Sequence, residues 1–384
     1  MKPRINQLYV VRTMAIIAVL LIHATAKPLS ELDRSSNSYF IYQLFNTLAS
    51  FAVPVFIFLS GFVLIYNYMD KEVSFKAVWQ FYRKRMLYIV VPYLILSVFY
   101  FVFIQWWYYD FTHIPLIIEK FLHAFFIKGG TMYHLYYMYI IVQFYILFPL
   151  IWMFFRQRWL STFAVPIAFV FHWIFVYMNG YLELFPKRSI VCLNYMVYFL
   201  IGAYIAIHWE TWSRRFNDAR LSTKLVSSLI GSWLLLAGAH VFLRYTLSTG
   251  QFSTHVKVYE LVFVLYCLLS AALLLGLGSI VVRSSMIRLH NAVISIGALS
   301  FGIYLIHPLF QQFYRMIDVS SNPIVYHLYI IGGFLLVFLL SWLTSYLVER
   351  FIPYSWMLFG AVPNSLPYKQ LTNSTRINPK SLTP

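Results

Sequence analysis

The sequence predicts an all-α protein, a polytopic membrane helix bundle of about ten transmembrane helices, and three observations predict it. Of the 384 residues, 61% are hydrophobic and only 11% charged, whereas soluble domains carry roughly 25% charged residues. Apolar stretches long enough for a ~30 Å hydrocarbon core, ~20 residues each, recur along nearly the whole chain. The Lys and Arg residues sit in short breaks between those stretches. A formal net charge of +17 would point to nucleic acid in a soluble protein. Here it reads as topology and contact with membrane lipids, with no nucleic-acid partner.

Apolar runs set against charged breaks place the spans near 7–26, 45–66, 86–107, 133–154, 160–178, 189–208, 225–244, 258–282, 292–314 and 324–348. Ten crossings put both termini on one side, which holds 20 of the 29 Lys and Arg residues, against 9 on the other. By the positive-inside rule both termini are expected in the cytoplasm and the chain in the cell membrane. Residues 1–362 are expected to form one transmembrane domain. Residues 363–384 are polar, lack acidic side chains and hold four prolines, so a disordered cytoplasmic tail is expected. The longest loop, about 108–132, is expected outside and carries Asp110, His113, Glu119 and His123. No internal repeat of the kind that marks many secondary transporters is evident.

The N-terminus has the form of a secretory signal: basic residues, the apolar run Thr13 to Ile22, then Ala24-Thr25-Ala26. Arg12 abuts that run and His23 lies just beyond it, so the segment is expected to remain as the first span. The two cysteines, Cys192 and Cys267, fall inside apolar segments and offer neither a disulfide framework nor a metal-ligand spacing; no metal is expected.

Ionisable groups inside a membrane are costly, so each is a functional candidate. Arg12 and His23 are eleven residues apart, which at ~100° per residue is three turns plus about 20°, with ~16 Å between them along the axis. They line one stripe of the first helix. Arginine alone there could be an interface residue that snorkels to headgroups, and a lone histidine could be a hydrogen-bonded helix-end residue. Together they offer a base of near-neutral pKa and a fixed cation. That pair suits acyl transfer from a phosphate-bearing carrier to an alcohol, and it would equally serve proton-coupled transport.

The second informative stretch is Val53-Pro54-Val55-Phe56-Ile57-Phe58-Leu59-Ser60-Gly61-Phe62, followed by Phe81-Tyr82-Arg83-Lys84-Arg85. Three consecutive cations could cradle the phosphates of a soluble donor such as coenzyme A, or act as stop signals and lipid anchors. Ser60 beside Gly61 marks close helix packing more readily than a nucleophile. The third stretch is Ser300-Phe301-Gly302-Ile303-Tyr304-Leu305-Ile306-His307-Pro308, where Tyr304 and His307 lie one turn apart. His307, and His134 within Tyr133-His134-Leu135-Tyr136-Tyr137, are read as chemical groups or as satisfied interhelical hydrogen-bond partners.

In order along the chain, these segments resemble acyltransferase family 3 of membrane proteins. The resemblance rests on an Arg, ten residues and a His in the first span, a Phe-rich run ending in Ser-Gly-Phe, and a basic patch before Pro92-Tyr93. It continues through His134-Leu135-Tyr136, the Ser300 to His307 segment, and Glu349 just past the tenth span. The resemblance implies about ten helices, acyl transfer onto envelope glycans, His23 as catalytic base and Arg12 as its partner in donor handling. It implies that Arg83 and Arg85 bind acyl-CoA, with acetyl-CoA the first candidate donor and no permanently bound cofactor. Many members carry a second Arg three residues beyond the position of Arg85; this chain has Tyr88. In that respect it is similar to the branch containing the intercellular adhesion protein C of staphylococcal polysaccharide operons, whose members are also described as exporters.

The expected activity is therefore membrane-bound O-acylation of a cell-envelope or extracellular polysaccharide. Ser60, His134, Tyr304, His307 and Glu349 are candidates for acceptor positioning or for orienting His23. Expected partners are acyl-CoA, the glycan acceptor, lipids and polysaccharide-synthesis proteins. The rival readings are an exporter of extracellular polysaccharide, its aromatic surplus stacking sugar rings, and an ion-coupled small-solute transporter.

Overall fold

A computed structural model describes residues 3–108, 114–250, 256–319 and 322–362. Expectations attached to Asp110, His113 and the 363–384 tail fall outside these residues. Among the described residues there are helices and turns and no strand. Nine helical segments are long and apolar enough to cross a membrane, and a pair bent by 75°, Cys192–Ile207 and Trp209–Phe216, makes up to ten. The chain is a multi-pass helical membrane protein.

The first helix, α1 (Gln7–Glu31), packs at the centre of the bundle, and α2 (Asn37–Ala49) and α3 (Ala52–Tyr68) form the second crossing as a broken rod. Ser36 caps α2, its hydroxyl accepting from the Tyr39 N–H at 3.1 Å. The break falls where the Ser50 hydroxyl donates to the Thr47 carbonyl at 2.7 Å, four residues before Pro54, which has no N–H to give. The third crossing joins α4 (Phe75–Arg85) to α5 (Val91–Tyr108) through a π-helical turn, Met86–Val90. Pro92 accounts for that turn, since its ring cannot be fitted against the carbonyl of Tyr88 in a regular α-helix.

The segment expected as a long outer loop contains a helix, α6 (Ile114–Phe126), that folds back against the third crossing. Phe121 meets Phe101 at 5.2 Å between ring centroids and Phe125 meets Tyr93 at 5.0 Å, so α6 runs antiparallel to α5. The chain then turns through Gly129 and Gly130, both at positive φ, where a side chain would be strained. It enters α7 (Tyr136–Arg156). The short α8 (Arg158–Thr162), α9 (Ala164–Leu182), two 3₁₀ turns (Arg188–Ile190 and Cys192–Tyr195), α10 (Met196–Ile207) and α11 (Trp209–Asn217) follow.

The remaining crossings are α12 (Ala219–Thr249), α13 (Val256–Arg283), α14 (Ile287–Tyr314) and α15 (Pro323–Phe351), with the short α16 (Trp356–Phe359) beyond. Asp218 caps α12 by accepting the Arg220 and Leu221 N–H groups, and Gly250 closes it at φ 70. Asn322 caps α15, with Pro323 in the first turn.

Contacts between connections agree with alternating crossings. At one end Arg156 Nη1 donates to the Lys71 carbonyl at 2.7 Å and Arg283 Nη2 to Ser222 at 2.7 Å. We call this the basic end. At the other end Arg34 Nη1 donates to the Ser248 carbonyl at 3.0 Å and Lys187 Nζ to that of Lys128 at 3.2 Å.

Helix contacts in lipid rely on close backbone approach at small residues. Gly61 lies against the Phe199 carbonyl and Gly202 against that of Phe58, so α3 and α10 meet with no room for a side chain at either glycine. On the other side of the bundle the Thr13 hydroxyl reaches the Val293 carbonyl at 2.6 Å, joining α1 to α14.

Candidate functional site

Helix α14 supplies the centre of the site, and its local sequence explains the geometry. Pro308 has no N–H, so the carbonyl of Tyr304, four residues earlier, loses its helical donor. The His307 imidazole takes that place: Nδ1 lies 2.7 Å from the Tyr304 carbonyl. Assigning the proton from this hydrogen bond puts it on Nδ1 and leaves Nε2 with its lone pair free. Nε2 is buried and has no partner.

His307 is the hub of a layer of rings. The His23 ring stacks on it at 5.3 Å between centroids, and the His134 ring meets it edge-on at 5.5 Å. Tyr304, one turn before His307, donates its hydroxyl to the His134 carbonyl, and the Tyr100 hydroxyl donates to the Leu305 carbonyl at 2.7 Å. His134 is 1% exposed, and neither of its ring nitrogens has a partner. An unsatisfied buried polar group costs about 1–3 kcal/mol, and here two such imidazoles, His134 and His307, lie in ring contact with each other, with His23 stacked on His307.

Two cavities approach this layer from opposite ends. From the basic end comes a cavity of about 310 Å³, whose lining includes Arg12, Ser60, Arg85, Tyr88 and Tyr304. Arg85 stands over the Tyr145 ring at 5.2 Å and Arg12 over the Tyr9 ring at 5.7 Å. Phe359 and Gly360 close part of the cavity, and Tyr88 meets Trp356 edge-on at 5.4 Å. From the other end comes a cleft of about 30 Å³ lined by His23, Lys27, His307, Gln311 and Arg315 among others. It is large enough for a water molecule or two. The cavities share no lining residue; Tyr304 faces the first and His307 the second.

The sequence-derived residues therefore separate into groups. Arg12 and His23, on one helix, open into different cavities, Arg12 with Arg85 and Ser60, His23 with His307. Arg83 is exposed and lines neither. Ser60 donates its hydroxyl to the Phe56 carbonyl at 2.9 Å, a helical back-bond with no base beside it, while Gly61 makes the helix contact described above. Glu349 lines a smaller pocket with Ser345 and Gly302 that shares Phe359 and Gly360 with the 310 Å³ cavity.

Three residues around His23 escaped the sequence reading. Gln311 Nε2 donates to the His23 carbonyl at 2.7 Å, Arg315 Nη2 to the same carbonyl at 3.1 Å, and the Tyr133 hydroxyl to Gln311 Oε1 at 2.7 Å. Tyr133 also packs its ring 4.9 Å from that of His23. The spacing Tyr304, His307, Gln311, Arg315 advances by three and then four residues, one polar stripe of a helix, and was the available signal. Among the described residues no group of His, Cys, Asp and Glu is arranged to hold a metal ion.

The family comparison gives this bundle, with its buried imidazole layer between two cavities, a class. The model described as "Acyltransferase domain" matches residues 5–346, and the chain belongs to acyltransferase family 3. It is also similar to proteins named "Probable poly-beta-1,6-N-acetyl-D-glucosamine export protein" from Staphylococcus aureus. The protein of strain MSSA476 is 22% identical over 319 residues, covering 80% of this chain and 82% of the relative. The protein of strain Mu50 is 23% identical over the same shares. No solved structure matches the chain.

Proposed function

We propose that the protein is a cell-membrane O-acyltransferase that moves an acyl group, acetyl in the first instance, from acyl-CoA to a hydroxyl of a cell-envelope or extracellular polysaccharide. The observation that carries the reading is the imidazole layer, with a cation-bearing cavity on one side of it and His23 in a cleft on the other. The basic end is the cytoplasmic one, so acyl-CoA reaches the 310 Å³ cavity from the cytoplasm. There Arg12 and Arg85 meet its phosphates, with Arg83 at the exposed approach. The thioester is presented at the Tyr304 side of the layer, and because the two cavities share no lining residue, transfer requires the Tyr304 side chain to move aside so that the thioester carbon meets the His23 cleft.

At the other side His23 accepts the proton of the sugar hydroxyl, and the alkoxide oxygen attacks the thioester carbon. The C–O ester bond forms, the C–S bond breaks, and the proton taken by His23 passes to the departing CoA sulfur. The free Nε2 of His307, beside His23 in the same cleft, orients the hydroxyl or a relay water. Gln311 and Arg315 hold the His23 backbone. His134 and Tyr304 keep His307 in place, and Glu349 supports the wall shared by its pocket and the donor cavity.

Export of a polysaccharide is the second reading, favoured by the printed name of the Staphylococcus aureus proteins. The two are separated by supplying radiolabelled acetyl-CoA to vesicles that contain only this protein, with an envelope glycan extract on the opposite side. We expect label in the glycan, lost by a factor of about 10²–10⁴ in His23→Ala with the protein still folded in the membrane. Polymer crossing the vesicle without incorporated label would establish export instead.

A further inference from the structure

A third cavity, of about 440 Å³, opens at the end of the bundle opposite the basic one, between the turn after α6 and the 3₁₀ segment 188–195. Its volume is in the range of small-molecule sites, about 300–1,000 Å³. Tyr133, Tyr136 and Tyr195 line it with Lys128 and Lys187, and no carboxylate does. Both walls are fastened. Gln143 of α7 donates to the Ile190 carbonyl at 2.8 Å and accepts the Cys192 N–H at 3.1 Å. The Arg188 guanidinium pairs with Glu260, which lies 3.4 Å from His172. The Thr131 hydroxyl donates to the Ser97 carbonyl at 2.9 Å.

Tyr133 connects this groove to the chemistry. It is 43% exposed, yet its ring lies 4.9 Å from that of His23 and its hydroxyl holds the Gln311 side chain that binds the His23 carbonyl. The cleft around His23 is too small for a sugar ring but admits a hydroxyl. That cleft adds Lys27 and Arg315, again with no carboxylate in its lining. Lys27 pairs with Glu31 at 4.0 Å, which leaves Lys128, Lys187 and Arg315 as three cations without a lining anion that raise the local concentration of negatively charged ligands, and tyrosine faces suit sugar rings.

We propose that this groove is the acceptor subsite and that it selects an anionic glycan, whose sugar stacks on Tyr133 while Lys128 and Lys187 hold its negative groups. The assignment of acceptor role rests on the acyltransferase reading; binding in the groove does not. The test uses full-length Ser189→Cys in phosphatidylcholine vesicles. Ser189 is exposed in the groove, and the native Cys192 and Cys267 are buried. Hexagalacturonate, as an anionic probe, should slow labelling of Cys at 189 by a membrane-impermeant maleimide at least fivefold, and neutral maltohexaose should not.

Adding Lys128→Gln with Lys187→Gln should raise the half-protecting hexagalacturonate concentration at least tenfold, and Tyr133→Ala should do likewise while Tyr133→Phe does not. Absence of protection, equal protection by maltohexaose, or indifference to the lysine changes overturns the groove. Protection by phosphatidylglycerol in place of hexagalacturonate would make it a lipid-headgroup site and overturn it as well. Protection accompanied by no acetyl transfer in the same vesicles would leave the binding site standing and defeat the acyltransferase reading alone.

Discussion

His307 joins His23 to the rest of the imidazole layer. Its Nδ1–H fills the vacancy that Pro308 leaves at the Tyr304 carbonyl, and its ring contacts both His23 and His134. Replacing it by Phe keeps an aromatic ring of similar shape in the layer but strands the carbonyl and removes Nε2. A stranded buried acceptor costs about 1–3 kcal/mol. We expect His307→Phe to stay folded with a modestly lowered melting temperature, while acetyl transfer falls at least tenfold at saturating acetyl-CoA. A variant with a normal turnover rate would reduce His307 to packing. At this scale sequence reasoning found Arg12, His23, His134 and His307, because a charge or imidazole in an apolar run stands out on cost alone. It missed Gln311, Arg315 and Tyr133, whose roles depend on which helix faces α1. Pattern within one helix exposes a polar stripe but not the carbonyl across the interface that the stripe will meet.

Proline placement decides much at the scale of the element. Pro92 sits behind the π-turn that sets Tyr88 in the cavity at the basic end, and Pro308 frees the carbonyl that orients His307. Giving the N–H back tests the second case. In Pro308→Ala the Tyr304 carbonyl regains a helical donor that competes with His307 Nδ1, so α14 becomes more regular and the imidazole loses its fixed tautomer. Thermal stability should hold or rise while transfer drops about tenfold, equivalent to about 1.4 kcal/mol of barrier. Parallel loss of both would mean that the kink serves packing. The long crossings were legible because ~20 apolar residues admit few alternatives. The return helix α6 was not: at 13 residues it is too short to cross, and the partners of its apolar face, Phe101 and Tyr93 of α5 among them, are known once the chain is folded. The break between α2 and α3 was hidden for a related reason, since Ser50 reads as an ordinary small residue until His240 Nε2 is found 3.1 Å from its hydroxyl.

For the whole molecule, the question is whether the two cavities ever become one. An exporter needs a continuous polar path, whereas an acyltransferase needs two entrances that meet at a reacting bond and stay closed to bulk water. The structure separates the cavities by Tyr304, His134 and His307, which are 5%, 1% and 0% exposed, and ties α14 to α5 and to the turn before α7 through the Tyr100 and Tyr304 hydroxyls. A ligand can therefore be excluded from the cavity at the basic end without touching the His23 cleft. Ser60 lines the cavity at the basic end well away from the His23 cleft, and its hydroxyl is satisfied within its own helix. Ser60→Trp would place a large ring inside about 310 Å³ of space. We expect acetyl-CoA half-saturation to rise at least tenfold in that variant. Hexagalacturonate protection of Cys at 189 should be unchanged, and neither wild-type nor variant vesicles should leak a trapped oligosaccharide. Leakage from the wild type that Ser60→Trp stops would mean that the layer opens and that one channel runs through the bundle. The polysaccharide, rather than the acyl group, would then be what crosses.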